Sequence, residues 1–225
     1  MGRRILGWLD SRYHFSFADY RNPENENFGV LRVLNDDVVE PGAGFDPHPH
    51  CDMEIISYVV SGMLTHADSK GRERTLTRGQ AQYMSAGTGV VHGMHNYSEK
   101  PLRFLQMWIT PDRTNHKPNY GDFEFVWEDR HNYWMPLASG KDSAAPIRIH
   151  AAVNVYASEI TDGQTLALHV GTGRQAYLVL VEGSARVGNQ VLVARDAMEF
   201  IDEDIEIQAT DTAHVLVIEM KKELK

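Results

Sequence analysis

The sequence predicts an all-β protein built from two tandem β-barrels, and three observations lead to this prediction. Short apolar segments rich in β-branched and aromatic residues recur along the chain, at residues 83–84, 102–109, 176–181 and 215–218. Turn signals separate such segments, at Asn35-Asp36-Asp37, Pro41-Gly42, Ser61-Gly62, Lys70-Gly71, Glu182-Gly183 and Gly188-Asn189. Helical periodicity is scarce and never extends far. Short strands at this spacing are typical of antiparallel sandwiches and barrels.

The two halves of the chain repeat one layout. In each half an apolar strand ends at a glycine, Gly62 or Gly183, and is followed by a polar strand and then by another apolar one. The middle of the chain is instead rich in proline and small polar residues, which is typical of a connection between domains. We therefore predict an N-terminal barrel at residues 1–115, a linker at 116–146 and a C-terminal barrel at 147–225.

The composition excludes several classes of protein. The 225 residues carry a net charge of −9 at pH 7, which argues against a nucleic-acid or anionic-membrane partner. The single cysteine, Cys51, excludes an intramolecular disulfide and a cysteine-rich zinc module. No stretch approaches the roughly 18 apolar residues of a membrane helix, and the N-terminus lacks the apolar run of a signal peptide. We therefore expect a cytoplasmic protein.

Histidines carry the chemical signal of this sequence. Alternate residues of a strand share a face, so His48, His50 and Glu54 are expected to point one way and Cys51 the other. Two imidazoles on one face of a strand can hold a divalent metal, and His92, which glycines bracket, is the best candidate for a third ligand from another strand. Seven further histidines fit no ligand pattern and are expected to be structural or exposed: His14, His66, His116, His131, His150, His169 and His214.

The segments that contain His48, His50 and His92 resemble the two sequence motifs of the cupin superfamily. Residues 42–54 match the first motif, and residues 79–96 resemble the second with two extra residues before the histidine. The chain is more specifically similar to the bacterial pirins, a group of two-cupin proteins that includes quercetin 2,3-dioxygenases. The stretches that carry this resemblance are residues 7–11, 14–17, 31–37, 48–55, 84–92 and 105–111.

The resemblance implies a bicupin with one divalent metal ion in the N-terminal barrel and none in the C-terminal barrel. Matched by position, the ligands are His48, His50 and His92, and the metal is Fe(II), with Ni, Mn, Zn or Cu as other candidates. Pirins usually have a glutamate two residues after the last histidine, where this chain has Met94, a soft and uncharged thioether. Three arrangements therefore stay open: three histidines with water, which we favour, with Glu54, or with Met94 close by. Strand alternation turns His95 away unless a bulge intervenes.

The resemblance also implies two alternative functions. The first is an oxidoreductase, a flavonol 2,3-dioxygenase of the quercetinase type that cleaves an aromatic substrate with O2. Such chemistry needs a base, and we predict Glu54 for this role because Met94, which we place in the substrate pocket, cannot take up a proton. The second is a non-catalytic, metal-dependent regulatory or protein-binding module with a degenerate site. Neither function implies direct contact with nucleic acid or a membrane.

Overall fold

The computed structural model describes residues 1–68, 73–140 and 145–222. These residues form 21 β-strands and one short 3-10 helix, so the prediction of an all-β fold is confirmed. By its internal contacts the chain divides into two compact units, Met1–Phe125 and Val126–Lys225. Each unit contains one large and one four-stranded sheet among its described residues.

The first unit is built from the strands β1 (Gly2–Leu6), β2 (Leu9–Tyr13), β3 (Leu31–Val39), β4 (Gly44–His50), β5 (Glu54–Ser61), β6 (Leu64–Asp68), β7 (Glu73–Leu76), β8 (Ala81–Ser85), β9 (Val90–His95), β10 (Leu102–Ile109) and β11 (Asn119–Phe123). The large sheet has the order β1-β2-β3-β10-β5-β8-β11, and the small sheet has the order β4-β9-β6-β7. Strand β5 lies between β10 and β8, and all but the last of its residues are buried, which explains its mostly apolar sequence.

The predicted turn at Asn35-Asp36-Asp37 is wrong, because all three residues lie inside β3. Polar residues can stay in a buried strand when they are paired, and here cross-strand contacts pair the two aspartates. The Arg103 guanidinium donates to both carboxylate oxygens of Asp36, at 2.9 and 2.7 Å. The hydroxyl of Ser11 donates to Asp37. Contacts of the β3 side chains, rather than the backbone preferences of these residues, therefore stabilise the segment as a strand.

The turn at Ser61-Gly62 follows β5 as predicted, and its glycine is required. Gly62 adopts a φ of +81°, a backbone conformation that other residues rarely adopt. A Cβ atom at this position would lie 2.6 Å from the carbonyl oxygen of Pro101. Substitution of Gly62 would therefore strain the backbone and displace the segment that leads into β10.

The second unit is built from the 3-10 helix Trp127–Arg130 and the strands β12 (Met135–Ser139), β13 (Ile147–Arg148), β14 (Val153–Ile160), β15 (Thr165–Leu168), β16 (Arg174–Glu182), β17 (Ser184–Val187), β18 (Gln190–Val193), β19 (Ala197–Ile201), β20 (Ile205–Ala209) and β21 (Ala213–Lys221). The large sheet has the order β13-β12-β14-β21-β16-β19, and the small sheet has the order β15-β20-β17-β18. Aliphatic side chains from both sheets form the core of this unit, among them Leu178, Leu180, Ile207, Val215 and Val217. Within the described residues, no helix has the length and apolarity that a membrane span requires.

Regular structure occupies much of the segment 116–146, for which the sequence analysis predicts a linker. Strand β11 pairs with β8 and so extends the large sheet of the first unit. Strand β12 pairs with β14 in the second unit. The boundary between the units falls between Phe125 and Val126, because β11 pairs within the first unit and β12 pairs within the second. Residues 141–144, the predicted turn at Lys70-Gly71 and residues 223–225 lie outside the described residues.

Candidate metal centre

Three histidines converge on the small sheet of the first unit. His48 and His50 lie two residues apart on β4, and His92 is the direct cross-strand partner of His48 on β9. The ring centroids of the three imidazoles are 4.7 to 4.8 Å apart. Their ligand atoms all lie within 4.8 Å of one another, so that one ion could contact all three. The structure thus brings together the three histidines that the sequence analysis names.

The strand that carries His48 and His50 has an unusual sequence, with prolines at 47 and 49. A proline cannot donate a ladder hydrogen bond, and it is tolerated on edge strands. Strand β4 is at the edge of the small sheet, with β9 as its one neighbour in the sheet order. The pairing of β4 with β9 is irregular between Phe45 and His48. The prolines also restrict the backbone around the two histidines, which lowers the entropy lost on ligand binding.

The three-histidine cluster favours neutral imidazoles. Burial, followed by the charge of His48, lowers the pKa of His50 from its ordinary 6.5 to about 4. Burial, followed by His66, His50 and His48, lowers the pKa of His92 to about 2. Near pH 7 both side chains are therefore deprotonated. A metal ion needs deprotonated imidazole nitrogens, so the electrostatics of the cluster suit a metal.

The outer contacts of the histidines indicate which ring nitrogens face the cluster. His48 Nδ1 lies 2.7 Å from the backbone oxygen of Asp46, and a carbonyl can only accept, so this nitrogen carries the hydrogen. His92 Nδ1 lies 2.9 Å from His66 Nε2. His92 Nε2 is buried and has no hydrogen-bond partner among the described residues. Metal-binding histidines typically have one nitrogen held by an outer partner and the other left for the metal, and this cluster fits that pattern.

His66, which the sequence analysis assigns to no ligand pattern, is the outer partner of His92. It lies on β6, is fully buried and stacks on Tyr120 with a centroid distance of 4.7 Å and an interplanar angle of 18°. The ring is therefore held on one face by Tyr120 and at its edge by His92. Its place depends on the pairing of β6 with β9, which no local spacing in the sequence indicates.

Glu54 does not join the histidines. Strand β4 ends at His50 and β5 begins at Glu54 in the other sheet. Asp52 between them adopts a φ of +47°, so strand alternation does not continue from His50 to Glu54. Glu54 is buried and accepts a 2.6 Å hydrogen bond from the Ser85 hydroxyl. Alternate residues share a face only within one strand, and His50 and Glu54 belong to different strands. Cys51 is exposed.

Met94 and His95 follow the alternation of β9 in opposite directions. His95 stacks on Tyr97, with a centroid distance of 5.3 Å and an interplanar angle of 9°. Met94 is buried, and its Sδ atom lies 3.6 Å from Gln106 Nε2 and 3.7 Å from Ser57 Oγ. Thioether sulfur is a weak, uncharged acceptor, so Met94 accepts these two contacts without adding a charge to the site.

A pocket of about 240 Å³ opens beside the histidines. The small sheet contributes His48, His50, Phe45 and Met94 to its wall, and the large sheet contributes the remaining side chains. The latter are Leu9, Ser11, Tyr13, Asn35, Asp37, Gln106 and Trp108, together with Phe17 from the loop after β2. Trp108 meets the His50 ring edge to face at a centroid distance of 4.9 Å. Met94 lines the pocket as predicted, whereas the polar wall was not predicted from the sequence.

Comparisons with known proteins agree with this architecture. The family model described as Pirin matches residues 1–109, and that described as Quercetinase C-terminal cupin domain matches residues 136–220. A Pseudomonas aeruginosa protein, whose name places it provisionally among the quercetin 2,3-dioxygenases, is 43% identical over 98% of this chain and 96% of its own. The Escherichia coli protein named quercetin 2,3-dioxygenase is 33% identical over 97% of this chain and 94% of its own.

A solved structure supports the same assignment. The bacterial pirin YhhW from Escherichia coli, in complex with nickel(II), superimposes with a TM-score of 0.92 at 31% identity and covers 99% of this chain and 96% of its own. The family assignment is supported by the strand order, by the two matching family models and by the sequence identity to relatives over nearly the whole chain. This chain belongs to the pirin family and has the bicupin fold.

Proposed function

We propose that the chain binds one divalent transition metal through His48, His50 and His92 and uses it to oxidise a small flavonol with O2. The observation that carries this proposal is the buried, unpartnered Nε2 of His92 within a cluster of three converging imidazoles. Such an atom is costly unless something binds it. The names of the Escherichia coli and Pseudomonas aeruginosa relatives give the reaction class.

The three imidazoles would hold the metal and leave its positive charge uncompensated. Imidazole suits Fe, Ni, Cu and Zn alike, so the donor set alone does not select among them. Fe(II) is the metal that the family resemblance implies, and the nickel(II) in the related YhhW makes Ni(II) the next candidate. When bound, the ion would supply a Lewis acid for the flavonol hydroxyl and a site for O2.

The side chains of the pocket would bind and orient the substrate. Phe17, Phe45 and Trp108 provide apolar surface suited to a planar aromatic ring. The volume of about 240 Å³ is below the roughly 300–1,000 Å³ of pockets that enclose a whole drug-sized ligand. We therefore expect the reacting ring to enter and the rest of the flavonol to remain at the mouth. Enclosure of that ring excludes water from the reacting atoms.

Neither Glu54 nor Met94 is well placed to accept the proton of this chemistry. Glu54 is hydrogen-bonded to Ser85 and is not among the residues that line the pocket, and Met94 has no basic atom. The regulatory alternative is implied by the family resemblance, and Met94 fits it because a protein partner needs no base. A pocket with an aromatic wall and a polar wall favours a small-molecule ligand over a protein partner.

Metal analysis combined with O2 consumption tests the proposal. Wild type, reconstituted anaerobically with Fe(II) or Ni(II), is expected to retain about one ion per chain and to consume O2 with quercetin. His50→Ala is expected to lose both, whereas His169→Ala, a matched change of an exposed histidine in the second unit, is expected to keep both. Metal retention by His50→Ala equal to that of wild type, or no O2 consumption by metal-loaded wild type, would contradict the proposal.

A further inference from the structure

Four polar side chains form a continuous patch on the inner face of the large sheet, in the pocket wall that the histidines do not supply. We call Ser11, Asn35, Asp37 and Gln106 the polar patch. Ser11 is the cross-strand partner of Asp37, and Gln106 is the partner of Asn35. Asn35 and Asp37 lie two residues apart on β3 and so share a face. The four side chains therefore occupy adjacent positions on β2, β3 and β10, where a β-sandwich usually has apolar residues.

The hydrogen bonds within the patch leave it rich in acceptors. The Ser11 hydroxyl donates to Asp37 Oδ1, and Trp108 Nε1 donates to Gln106 Oε1 at 3.0 Å. Asn35 is 3% exposed, and its Oδ1 atom has no hydrogen-bond partner among the described residues. Asp37 is equally buried, and an ionised carboxylate can accept about four hydrogen bonds. A ligand that complements this surface must bring hydrogen-bond donors.

The neighbouring aspartate shows what a purely structural carboxylate looks like in this strand. Asp36 points to the opposite face of β3 and is held by both arms of the Arg103 guanidinium. The charges that act on Asp37 are instead those of Asp36 and Asp10, which repel its ionised form. A buried carboxylate beside like charges costs stability, so its place in a pocket wall indicates a ligand.

We propose that Asn35 and Asp37 form a hydroxyl-binding subsite, in which Asp37 accepts the hydrogen bond and then the proton of an acidic hydroxyl on a hydroxylated aromatic ligand. This inference deepens the proposed function and rests on it for the identity of the ligand. It also supplies the base that neither Met94 nor Glu54 provides.

The proton transfer is balanced within the pocket. The O–H bond of the ligand breaks, the proton moves to Asp37 Oδ2, and the electron pair stays on the ligand oxygen as a phenolate. Ser11 continues to donate to Oδ1. Burial, more than any other cause, raises the pKa of Asp37 from its ordinary 3.8 to about 7; Asp36 and Asp10 raise it further and Ser11 lowers it. A proton acceptor with a pKa near the working pH is ionised in a large fraction of the molecules and is still basic enough to take the proton.

The charged and polar groups around Asp37, on both faces of the sheet, define its pH dependence. On β2 these are Asp10 and Ser11, on β3 Asn35 and Asp36, and on β10 the apolar Phe104, while His48 and His50 share the pocket from the small sheet. Asp37 accepts a proton only when ionised. The ionised fraction of bound ligand is therefore expected to rise with pH through about 7.

Anaerobic titration of the metal-free protein with quercetin tests the subsite without turnover. The readouts are the dissociation constant and the long-wavelength absorbance of ionised quercetin, from pH 5.5 to 8.5. Wild type is expected to bind quercetin and ionise it. Asp37→Asn is expected to bind about 10- to 100-fold more weakly and leave it neutral, because a charge-assisted hydrogen bond is lost. Asp211→Asn, an exposed site in the second unit, is the matched control and is expected to behave as wild type.

Ser11→Ala gives a second, directional readout. Because the Ser11 hydrogen bond lowers the pKa of Asp37, its removal is expected to shift the midpoint of quercetin ionisation to higher pH without abolishing it. Thermal unfolding of each variant shows that it is folded. A merely structural Asp37 would not couple Ser11 to the ionisation of the ligand.

Three outcomes overturn the subsite: Asp37→Asn ionises quercetin as wild type does, Ser11→Ala leaves the midpoint unchanged, or metal-free wild type does not bind and ionise quercetin. If metal-loaded wild type nevertheless consumes O2 with quercetin, the proposed function stands without the subsite. If the ionisation depends on Asp37 but no metal supports O2 consumption, the subsite stands and the proposed oxidation fails.

Discussion

The two units of this chain share one strand order and differ in what lies between their sheets. The neighbours β3-β10-β5-β8 of the first unit correspond in order to β14-β21-β16-β19 of the second. The small sheets β4-β9-β6-β7 and β15-β20-β17-β18 correspond as well. Between its sheets the first unit has histidines and the polar patch beside an apolar cluster, whereas the core of the second unit is almost wholly aliphatic.

Corresponding strands make the difference concrete. Strand β10 brings Gln106 into the pocket, whereas β21 brings Val215 and Val217 into the core of its unit. Strand β9 supplies His92, whereas β20 supplies Ile207. The fold therefore does not require polar residues at these places. Buried polar groups cost free energy of folding, and their concentration in one unit indicates where ligands bind.

The largest expected effect comes from removing a ligand histidine. His92→Ala is expected to weaken metal binding by about 1,000-fold or more, because two imidazoles remain and the buried third donor is lost. His214→Ala, which removes a buried histidine of the second unit that pairs with Glu182 at 3.2 Å, is expected to leave the metal affinity unchanged. Equilibrium titration with Ni(II) checks both variants, and equal affinities would remove the distinction between the units.

The next effect is on stability. The unfolded chain releases the Asp37 proton near pH 4, whereas the folded protein keeps it to about pH 7. Between these values Asp37 lowers the free energy of unfolding as pH rises, by about 4 kcal/mol in total. His50 and His92, whose pKa values are lowered, act in the opposite direction below about pH 6.5.

The difference between wild type and Asp37→Asn isolates the aspartate, because the histidines are common to both. Metal-free Asp37→Asn is expected to gain stability over wild type from pH 4 to pH 7 and to keep that gain above pH 7. Urea unfolding at a series of pH values measures the difference. A constant difference across this range would contradict the raised pKa of Asp37.

A smaller effect is expected for the outer partner of His92. His66→Phe keeps an aromatic ring against Tyr120 and removes the contact to His92 Nδ1. Loss of such an outer partner typically costs 10- to 100-fold in metal affinity, and we expect that loss here. His131→Phe, a change at a half-exposed site of the second unit, serves as the control. Unaltered Ni(II) affinity in His66→Phe would show that His66 does not orient His92.

The smallest expected effect comes from restoring a carboxylate at position 94. Met94→Glu is expected to tighten metal binding by about 10-fold, since a carboxylate offsets part of the positive charge that three imidazoles leave. Met94→Gln, nearly the same size and uncharged, is the matched control. If Asp37 is the base, Met94→Glu combined with Asp37→Asn leaves bound quercetin neutral. Ionisation of quercetin that persists in this double variant would instead assign the base to position 94.

Much of the fold could be predicted from the sequence, because its strands are apolar and its turns contain glycine. The grouping of His48 and His50 followed from alternation within one strand, and His92 from its glycine-bracketed position, to which the family resemblance added support. The prediction for Glu54 relied on alternation beyond the end of β4, where it does not hold because Asp52 has a positive φ and β5 belongs to the other sheet. Asn35-Asp36-Asp37 has the composition of a turn, and only the cross-strand partners Ser11 and Arg103 reveal a central strand. Contacts between distant strands, such as that of His66, have no local signal.

Anomalous diffraction at the nickel edge, from crystals of metal-free protein soaked with Ni(II), would be the sharpest test of the three-histidine site. One peak per chain is expected in the first unit, in contact with His48, His50 and His92. No peak is expected at the histidines of the second unit. A strong peak at any other site, with none among these three histidines, would contradict the three-histidine site.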